Sequence, residues 1–167
     1  MKIFGIVGMS GSGKTELLVK LIPELTARGV GVSTIKHTHH NVEVDKPGKD
    51  SYRHRKSGAK QVMVASAGRW SLIRELRDAP EPTLGELIEK LEPVDLLLIE
   101  GFKRESHAKL EVFRHDHEQE LLAPGDDKII AVASDGPIEG LSVPLIDLND
   151  VSAVADFILS FNKLEKA

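Results

Sequence analysis

The sequence predicts an α/β fold in which a mostly parallel, doubly wound sheet is flanked by helices. Short apolar runs, bounded by glycine, proline or polar residues, alternate with longer segments whose apolar residues recur at helical spacing. The clearest run, residues 94–99, is apolar except for Asp95, which is typical of a strand covered by helices on both faces. The 167 residues are 41% hydrophobic and 29% charged, and we expect a single domain over residues 1–167.

The predicted strands lie along the whole chain. They cover residues 2–8, 30–36, 61–66, 70–76, 94–99, 129–133 and 143–146. Residues 61–66 and 70–76 flank a short turn, so we expect a hairpin-like segment over 61–76 or an edge of the sheet.

Helices are predicted from apolar stripes and from their start signals. Residues 14–28 carry leucine and isoleucine side chains on one stripe and are followed by a glycine. Further helices are expected to begin near Asp50 or Ser51, at Thr83, and after Asn149 or Asp150. Thr83 and Glu86 have the spacing of a capping box, in which each side chain accepts a hydrogen bond from the other residue's backbone amide.

The strongest functional signal is the segment Gly-Met-Ser-Gly-Ser-Gly-Lys-Thr at residues 8–15. It lies between the first predicted strand and the first predicted helix, which is the context of a phosphate-binding loop, or Walker A motif. Its glycines let the backbone amides converge on phosphate oxygens, and the positive end of the helix assists them. Lys14 is expected to bridge the β- and γ-phosphates of a nucleotide, and the Thr15 hydroxyl to bind Mg²⁺. We assign the phosphate contacts to Gly8, Ser10, Gly11, Ser12, Gly13, Lys14 and Thr15.

A magnesium site also needs an acid, and Asp95 and Glu100 are the two candidates. They stand at opposite ends of one predicted strand, about 16 Å apart at about 3.3 Å per residue. Ligands of parallel sheets bind beyond the carboxyl ends of the strands, so Glu100 is the predicted metal residue, together with Thr15. Asp95 is expected to cap the strand entry or to pair locally, and the competing interpretation of Glu100 is a carboxylate that only orients a loop.

Charge is unevenly distributed along the chain. The net charge of −4 argues against general nucleic-acid binding, whereas residues 46–60 hold a cluster of lysines and arginines. Lys103 and Arg104 directly follow Glu100 and bring two more cations to the same edge of the sheet. The cluster indicates a local anionic ligand, and the alternative is a solvated helix face.

The cysteine and histidine content limits the kinds of reaction and metal site that the chain can support. The absence of cysteine excludes disulfides and thiolate chemistry and fits a cytoplasmic protein. The apolar start of the chain is too short for a membrane span. His37, His39 and His40 are close in sequence, and His115 and His117 alternate after a strand-like run, but this spacing favours solvent-facing or ligand-contacting histidines over a transition-metal site.

Four blocks together resemble MobB, the molybdopterin-guanine dinucleotide biosynthesis adaptor family. They are residues 8–15, Lys36-His37, residues 47–51 with 53–55, and residues 100–103. The resemblance covers most of the chain and implies a P-loop NTPase fold, GTP and Mg²⁺ as cofactors, and at most weak GTPase activity. It also implies an adaptor that assists a MobA-like nucleotidyltransferase in attaching GMP to molybdopterin.

The resemblance also implies roles for individual residues. Glu100 would lie by the metal, and Asp50 could reach the same cation through water. Charge suggests that Lys49, Arg53, Arg55 and Lys103 line a second anionic site, with the pterin phosphate as a candidate ligand. Asp135 could bind the guanine ring, or could equally be a structural turn residue.

Two other functions remain open, and the chain is expected to form a homodimer. A small-molecule kinase would use Asp50 or Glu100 to activate an acceptor hydroxyl, with Arg53 or Arg104 on the phosphoryl group. A metallochaperone GTPase would use the loop of His37, His39 and His40.

Overall fold

A computed structural model describes residues 1–38, 42–116 and 120–164. They form two compact units, one made of Met1–His37 and Leu91–Ala167 and a smaller one made of Thr38–Lys90. The expected single domain over residues 1–167 stays a prediction. His39, His40 and His117 lie outside the described residues.

In chain order the strands are β1 (Lys2–Val7), β2 (Val32–Lys36), β3 (Gln61–Ala65), β4 (Trp70–Arg74), β5 (Leu96–Glu100), β6 (Lys109–Phe113), β7 (Ile129–Ser134) and β8 (Leu145–Asp147). The helices are α1 (Lys14–Ala27), α2 (Asp50–Lys56), α3 (Leu84–Ile88) and α4 (Val151–Asn162), with one turn of 3₁₀ helix at Ala123–Gly125.

The larger unit is built on a six-stranded sheet in the order β2-β5-β1-β6-β7-β8, and all of its neighbouring strands are parallel. This confirms the predicted parallel α/β fold. Strand β5 lies between β1 and β2, and all five of its residues are buried, as its continuous apolar sequence predicted. The carboxyl ends of β1, β2 and β5 therefore meet at one edge of the sheet.

The core of this unit lies between the sheet and helices α1 and α4. The predicted stripe of α1 is buried through Leu17, Leu18, Leu21 and Leu25. Helix α4 begins after Asp150, whose side chain accepts a hydrogen bond from the Ala153 amide at 2.9 Å.

Strand β6 is absent from the sequence-based list of strands, and its composition explains why. Lys109 and Glu111 interrupt its apolar pattern, yet each is only 1% exposed. The Lys109 ammonium donates to Asp126 at 2.6 Å and to the Lys103 carbonyl, and the Glu111 carboxylate accepts the amides of Leu122 and Ala123. Burial raises the pKa of Glu111. Lys109 and Glu111 alternate with Leu110 and Val112, which is typical of a strand with one solvent-exposed face, whereas here the charged side chains are buried and compensated by partners elsewhere in the chain.

The smaller unit contains a two-stranded antiparallel sheet and helices α2 and α3. Strands β3 and β4 form the hairpin predicted within 61–76, as a separate sheet in which Met63 pairs with Leu72 and Ala65 pairs with Trp70. The Thr83 and Glu86 capping box at the start of α3 is confirmed in both directions. Among the described residues, no helix is long and apolar enough to cross a membrane. The cytoplasmic location stays a prediction.

Candidate nucleotide-binding site

The loop of residues 8–15 takes the backbone shape that its glycines allow. Gly8, Gly11 and Gly13 have φ values of 141°, 82° and 92°, in the region that favours glycine. A Cβ atom on Gly8 would lie 2.4 Å from the Val112 carbonyl oxygen, so this position also has no room for a side chain. The loop is thus held tightly against the end of β6.

Helix α1 begins at Lys14, near the end of this segment, with Gly13 as its N-cap. No side chain caps this end, so the first amides of the helix remain directed toward the loop. The Ser12 hydroxyl is buried and has no hydrogen-bond partner among the described residues. Uncapped amides and a buried hydroxyl at a helix N-terminus form the donor set that a phosphate group requires.

Lys14 lies over the loop that precedes it. Its ammonium donates to the carbonyl oxygens of Met9 at 2.7 Å and Gly8 at 3.1 Å. Burial lowers the pKa of Lys14; Glu100 opposes this effect, while Lys103 and Lys36 reinforce it. Positive charge is therefore concentrated at the mouth of the loop.

Glu100 reaches the same place from the end of β5. It is 8% exposed, and its Oε1 atom accepts a hydrogen bond from the Thr15 hydroxyl at 2.9 Å. The Lys36 ammonium, from the end of β2, lies 3.0 Å from that oxygen and 3.1 Å from the Thr15 hydroxyl. Two oxygen atoms suited to Mg²⁺ are thus adjacent, although their role as metal ligands stays a prediction.

Asp95 occupies the opposite end of the same strand, as predicted. Its Oδ2 atom accepts the Gly31 amide at 2.7 Å, and its own carbonyl accepts the Lys2 amide. The carboxylate thus caps the entry of the neighbouring strand β2, which is one of the two expected roles.

Sequence reasoning did not include Arg114 among the site residues. Arg114 directly follows β6, and a Cβ atom on Gly13 would lie 3.0 Å from its Nε atom. Its proximity depends on β6 being the neighbour of β1 in the sheet. A strand order of this kind is not encoded in a local motif, so the strand-like run before His115 was the only available signal.

Asp135 lies at the end of β7 and already has protein partners. One carboxylate oxygen accepts the backbone amide of His115 at 3.1 Å and lies 3.1 Å from the His115 Nδ1 atom. The other lies 3.5 Å from Arg114 Nη1. These contacts, led by the His115 amide, lower the pKa of Asp135. Its role in binding guanine stays a prediction.

The residues predicted for a second anionic ligand are divided between the two units. Lys103 belongs to the larger unit, where its ammonium lies 3.4 Å from the Met9 sulfur. Lys49, Arg53 and the candidate acid Asp50 belong to the smaller unit. Asp50 is exposed there, 3.8 Å from Arg53 Nη1.

Arg55 has a different environment from the one its charge run suggests. Its guanidinium donates to Asp45 at 2.7 Å, to Glu75 at 2.9 Å and to Glu43 at 2.5 Å, and the Asp45 contact is the main reason why the pKa of Arg55 is raised. Three carboxylates compensate its charge, so the structure gives Arg55 a role within the smaller unit rather than in anion binding.

The described histidines form no metal centre. His37 packs its ring on Phe102 at a centroid distance of 4.4 Å. Within residues 1–38, 42–116 and 120–164 there is no group of three or more histidine, aspartate or glutamate side chains that could hold a metal ion.

A cleft of about 650 Å³ opens in the larger unit beside the end of β1. Its lining includes Val7, Lys103, Arg104 and Lys109. Lys109 is already paired with Asp126, whereas neither Lys103 nor Arg104 has an ion pair with any described residue.

Comparisons with known proteins identify the family of this chain. The family model described as "Molybdopterin guanine dinucleotide synthesis protein B", MobB, matches residues 3–135. The chain belongs to the MobB family. The earlier resemblance is thereby confirmed, and the matched range contains the phosphate loop, Glu100 and Arg114.

Relatives of the MobB family match nearly the whole chain. A molybdopterin-guanine dinucleotide biosynthesis adapter protein of Escherichia coli (strain K12) is 48% identical over 163 residues, which span 95% of this chain and 92% of that protein. A protein of the same name from Haemophilus influenzae is 44% identical, over 93% of this chain and 86% of its own length. The crystal structure of Bacillus subtilis MobB has a TM-score of 0.77 at 26% identity and covers 99% of this chain and 100% of its own.

Proposed function

We propose that this MobB-family chain is a GTP-binding adaptor that assists the attachment of GMP to molybdopterin. The observation that carries the proposal is the loop of residues 8–15, where the glycine conformations, the uncapped start of α1 and the Lys14 ammonium provide a cradle for phosphates. The adaptor role is supported by the names and coverage of the relatives from E. coli and H. influenzae.

Magnesium fits the residues beside this loop. The Thr15 hydroxyl and the Glu100 carboxylate would hold it, directly or through water, because hard cations prefer oxygen ligands. When bound, Mg²⁺ would offset the charge of the phosphate oxygens. Lys36 would then move its contact from Glu100 to the nucleotide, because its ammonium already lies 3.1 Å from the Thr15 hydroxyl at the phosphate loop.

Slow hydrolysis is the expected catalytic behaviour. Glu100 is held by Thr15 and Lys36, and this arrangement suits a metal ligand better than a base that activates water. The phosphate loop by itself supplies electrostatic stabilisation without a group that positions the attacking water. We therefore propose that the main role lies with a partner enzyme, a MobA-like nucleotidyltransferase.

A second anionic ligand would contact the cations that lack carboxylate partners. In the larger unit these are Lys103 and Arg104, at the rim of the 650 Å³ cleft. The smaller unit, taken by itself, offers Lys49 and also Arg53, which lies 3.8 Å from Asp50 but is 72% exposed, whereas Arg55 is committed to its three carboxylates. The phosphate of molybdopterin has the charge that such a site would bind.

The exposed face of the hairpin supports a homodimer. Met63 and Leu72 face each other across β3 and β4 and both are exposed, as is Trp70. An exposed group of large apolar side chains is typical of a protein interface. Light scattering measures the mass of the species in solution and tests this part of the proposal.

The adaptor role is tested by reconstitution. The rate at which a purified MobA-like enzyme attaches GMP to molybdopterin is measured without this chain, with it, and with its Lys14→Ala variant. We expect the wild-type chain to raise the rate or the yield and the variant to fail. Equal rates in all three reactions would reject the adaptor function.

A further inference from the structure

Arg114 lies against the phosphate loop because of the order of the strands. Strand β6 pairs with β1, with Val7 opposite Glu111, so the residue after β6 arrives beside the loop that follows β1. The close approach of Gly8 to the Val112 carbonyl shows that this contact is tight. Arg114 is therefore fixed near the loop by the main chain rather than by a flexible surface segment.

The guanidinium group covers one side of Gly13. A Cβ atom placed on Gly13 would lie 3.0 Å from Nε, 3.4 Å from Nη2 and 3.6 Å from Cζ of Arg114. Gly13 is the N-cap of α1, the point at which the phosphate-binding amides begin. The cation thus stands beside the amides that would bind phosphate oxygens.

The contacts of Arg114 leave most of its donors for a ligand. A guanidinium has five N–H donors. Among the described residues its recorded partner is Asp135 Oδ2 at 3.5 Å, the outer limit of a hydrogen bond. The other oxygen of Asp135 is engaged by His115, which anchors this carboxylate beside Arg114.

Arg55 shows what a purely structural arginine looks like in this chain. Its guanidinium makes contacts of 2.5–2.9 Å with three carboxylates, and its side chain is 10% exposed. Arg114 has one long contact and is 31% exposed. The difference indicates that Arg114 is held in place while most of its N–H donors have no acceptor among the described residues.

We propose that Arg114 binds phosphate oxygens of the nucleotide from the Gly13 side of the loop, with Asp135 positioning its guanidinium between binding events. The proposal rests on the proposed nucleotide binding and adds a residue to it. Arginine suits this place because its planar fork matches two phosphate oxygens at once, which a lysine does not.

The test is calorimetric titration of GTP and GDP, each with Mg²⁺, into the wild-type chain and two variants. Arg114→Gln is expected to weaken both affinities about tenfold, since an arginine contact to phosphate is worth about 1.4 kcal/mol or more. Arg114→Lys, which keeps the charge without the fork, is expected to bind with intermediate affinity. The wild type should also lose affinity more steeply with added salt than Arg114→Gln does.

Arg69→Gln is the matched control, because Arg69 is an exposed arginine in the hairpin turn and its loss changes the net charge equally. It should bind GTP like the wild type. Unchanged affinity and salt dependence in Arg114→Gln would overturn the proposal. If Arg114→Gln does not fold, Arg114→Lys provides the test. Wild-type affinity for GTP in Arg114→Lys would overturn the proposal as well.

Failure of this inference can be distinguished from failure of the proposed function. If the wild type binds neither GTP nor ATP, nucleotide binding itself is wrong. If the wild type binds, Lys14→Ala does not, and Arg114→Gln binds normally, then only the role of Arg114 is wrong.

Discussion

Replacing Glu100 by glutamine separates the proposed metal site from the fold around it. The substitution keeps an oxygen that can accept the Thr15 hydroxyl at 2.9 Å, and it removes the negative charge next to Lys36. Lys36 is more than half exposed, so solvent screens this pair and its loss costs about 1 kcal/mol of folding stability or less. The substitution should weaken Mg²⁺ binding by more than this, because a neutral amide is a much weaker ligand for a hard cation than a carboxylate.

We expect Glu100→Gln to reduce by about tenfold or more the gain in GTP affinity that Mg²⁺ provides, which corresponds to about 1.4 kcal/mol. The assay is calorimetry of GTP binding with Mg²⁺ and with EDTA, alongside thermal unfolding of the free protein. Asp95→Asn is the matched control, because Asp95 stands at the other end of β5 and accepts the Gly31 amide. The reasoning is refuted if Mg²⁺ raises the GTP affinity of Glu100→Gln as much as that of the wild type. It is also refuted if Asp95→Asn loses as much of this gain as Glu100→Gln does.

Two further predictions follow from buried and paired groups. Burial, reinforced by Lys109, lowers the pKa of His107 below the 6.5 of an ordinary histidine, and neither ring nitrogen has a hydrogen-bond partner among the described residues. The unfolded chain therefore takes up this proton first, and stability is lost as the pH falls through 6.5, by at most about 1.4 kcal/mol per pH unit. Urea unfolding measures the free energy of unfolding at pH 7.5 and at pH 5.5. The decrease between the two pH values should be smaller in His107→Gln than in the wild type, while His54→Gln, which replaces an exposed histidine, should behave like the wild type. Equal decreases in all three proteins would contradict this role of His107. Asp135→Asn tests the predicted guanine contact: it should lower the ratio of GTP to ATP affinity measured by calorimetry, and an unchanged ratio would leave Asp135 with only its contacts to His115 and Arg114.

The parts of the site that were predictable from sequence are those encoded by local pattern. The phosphate loop is contiguous, so its residues and the helix after it follow from the motif. Glu100 was chosen over Asp95 by the direction of one strand, and the structure places Glu100 beside Thr15. The boundaries of the strands that were predicted lie within two residues of those observed, because glycine, proline or polar residues bound the apolar runs.

The parts that escaped prediction depend on contacts between distant segments. Strand β6 contains Lys109 and Glu111, and the Asp126 carboxylate and the backbone amides that compensate their charges lie 11 to 17 residues further along the chain. Arg114 lies beside the phosphate loop because β6 pairs with β1. Arg55 looked like a free cation because its run is basic, and its compensating carboxylates lie 10 to 20 residues away on either side.

The central claim is that the loop of residues 8–15 binds a nucleotide through Lys14 and prefers GTP. Calorimetric titration of GTP and ATP with Mg²⁺ into the wild type and Lys14→Ala, with thermal unfolding as a check on folding, tests it directly. The account predicts tighter binding of GTP than of ATP by the wild type and no measurable binding by a folded Lys14→Ala. Undiminished GTP binding by that variant would contradict it.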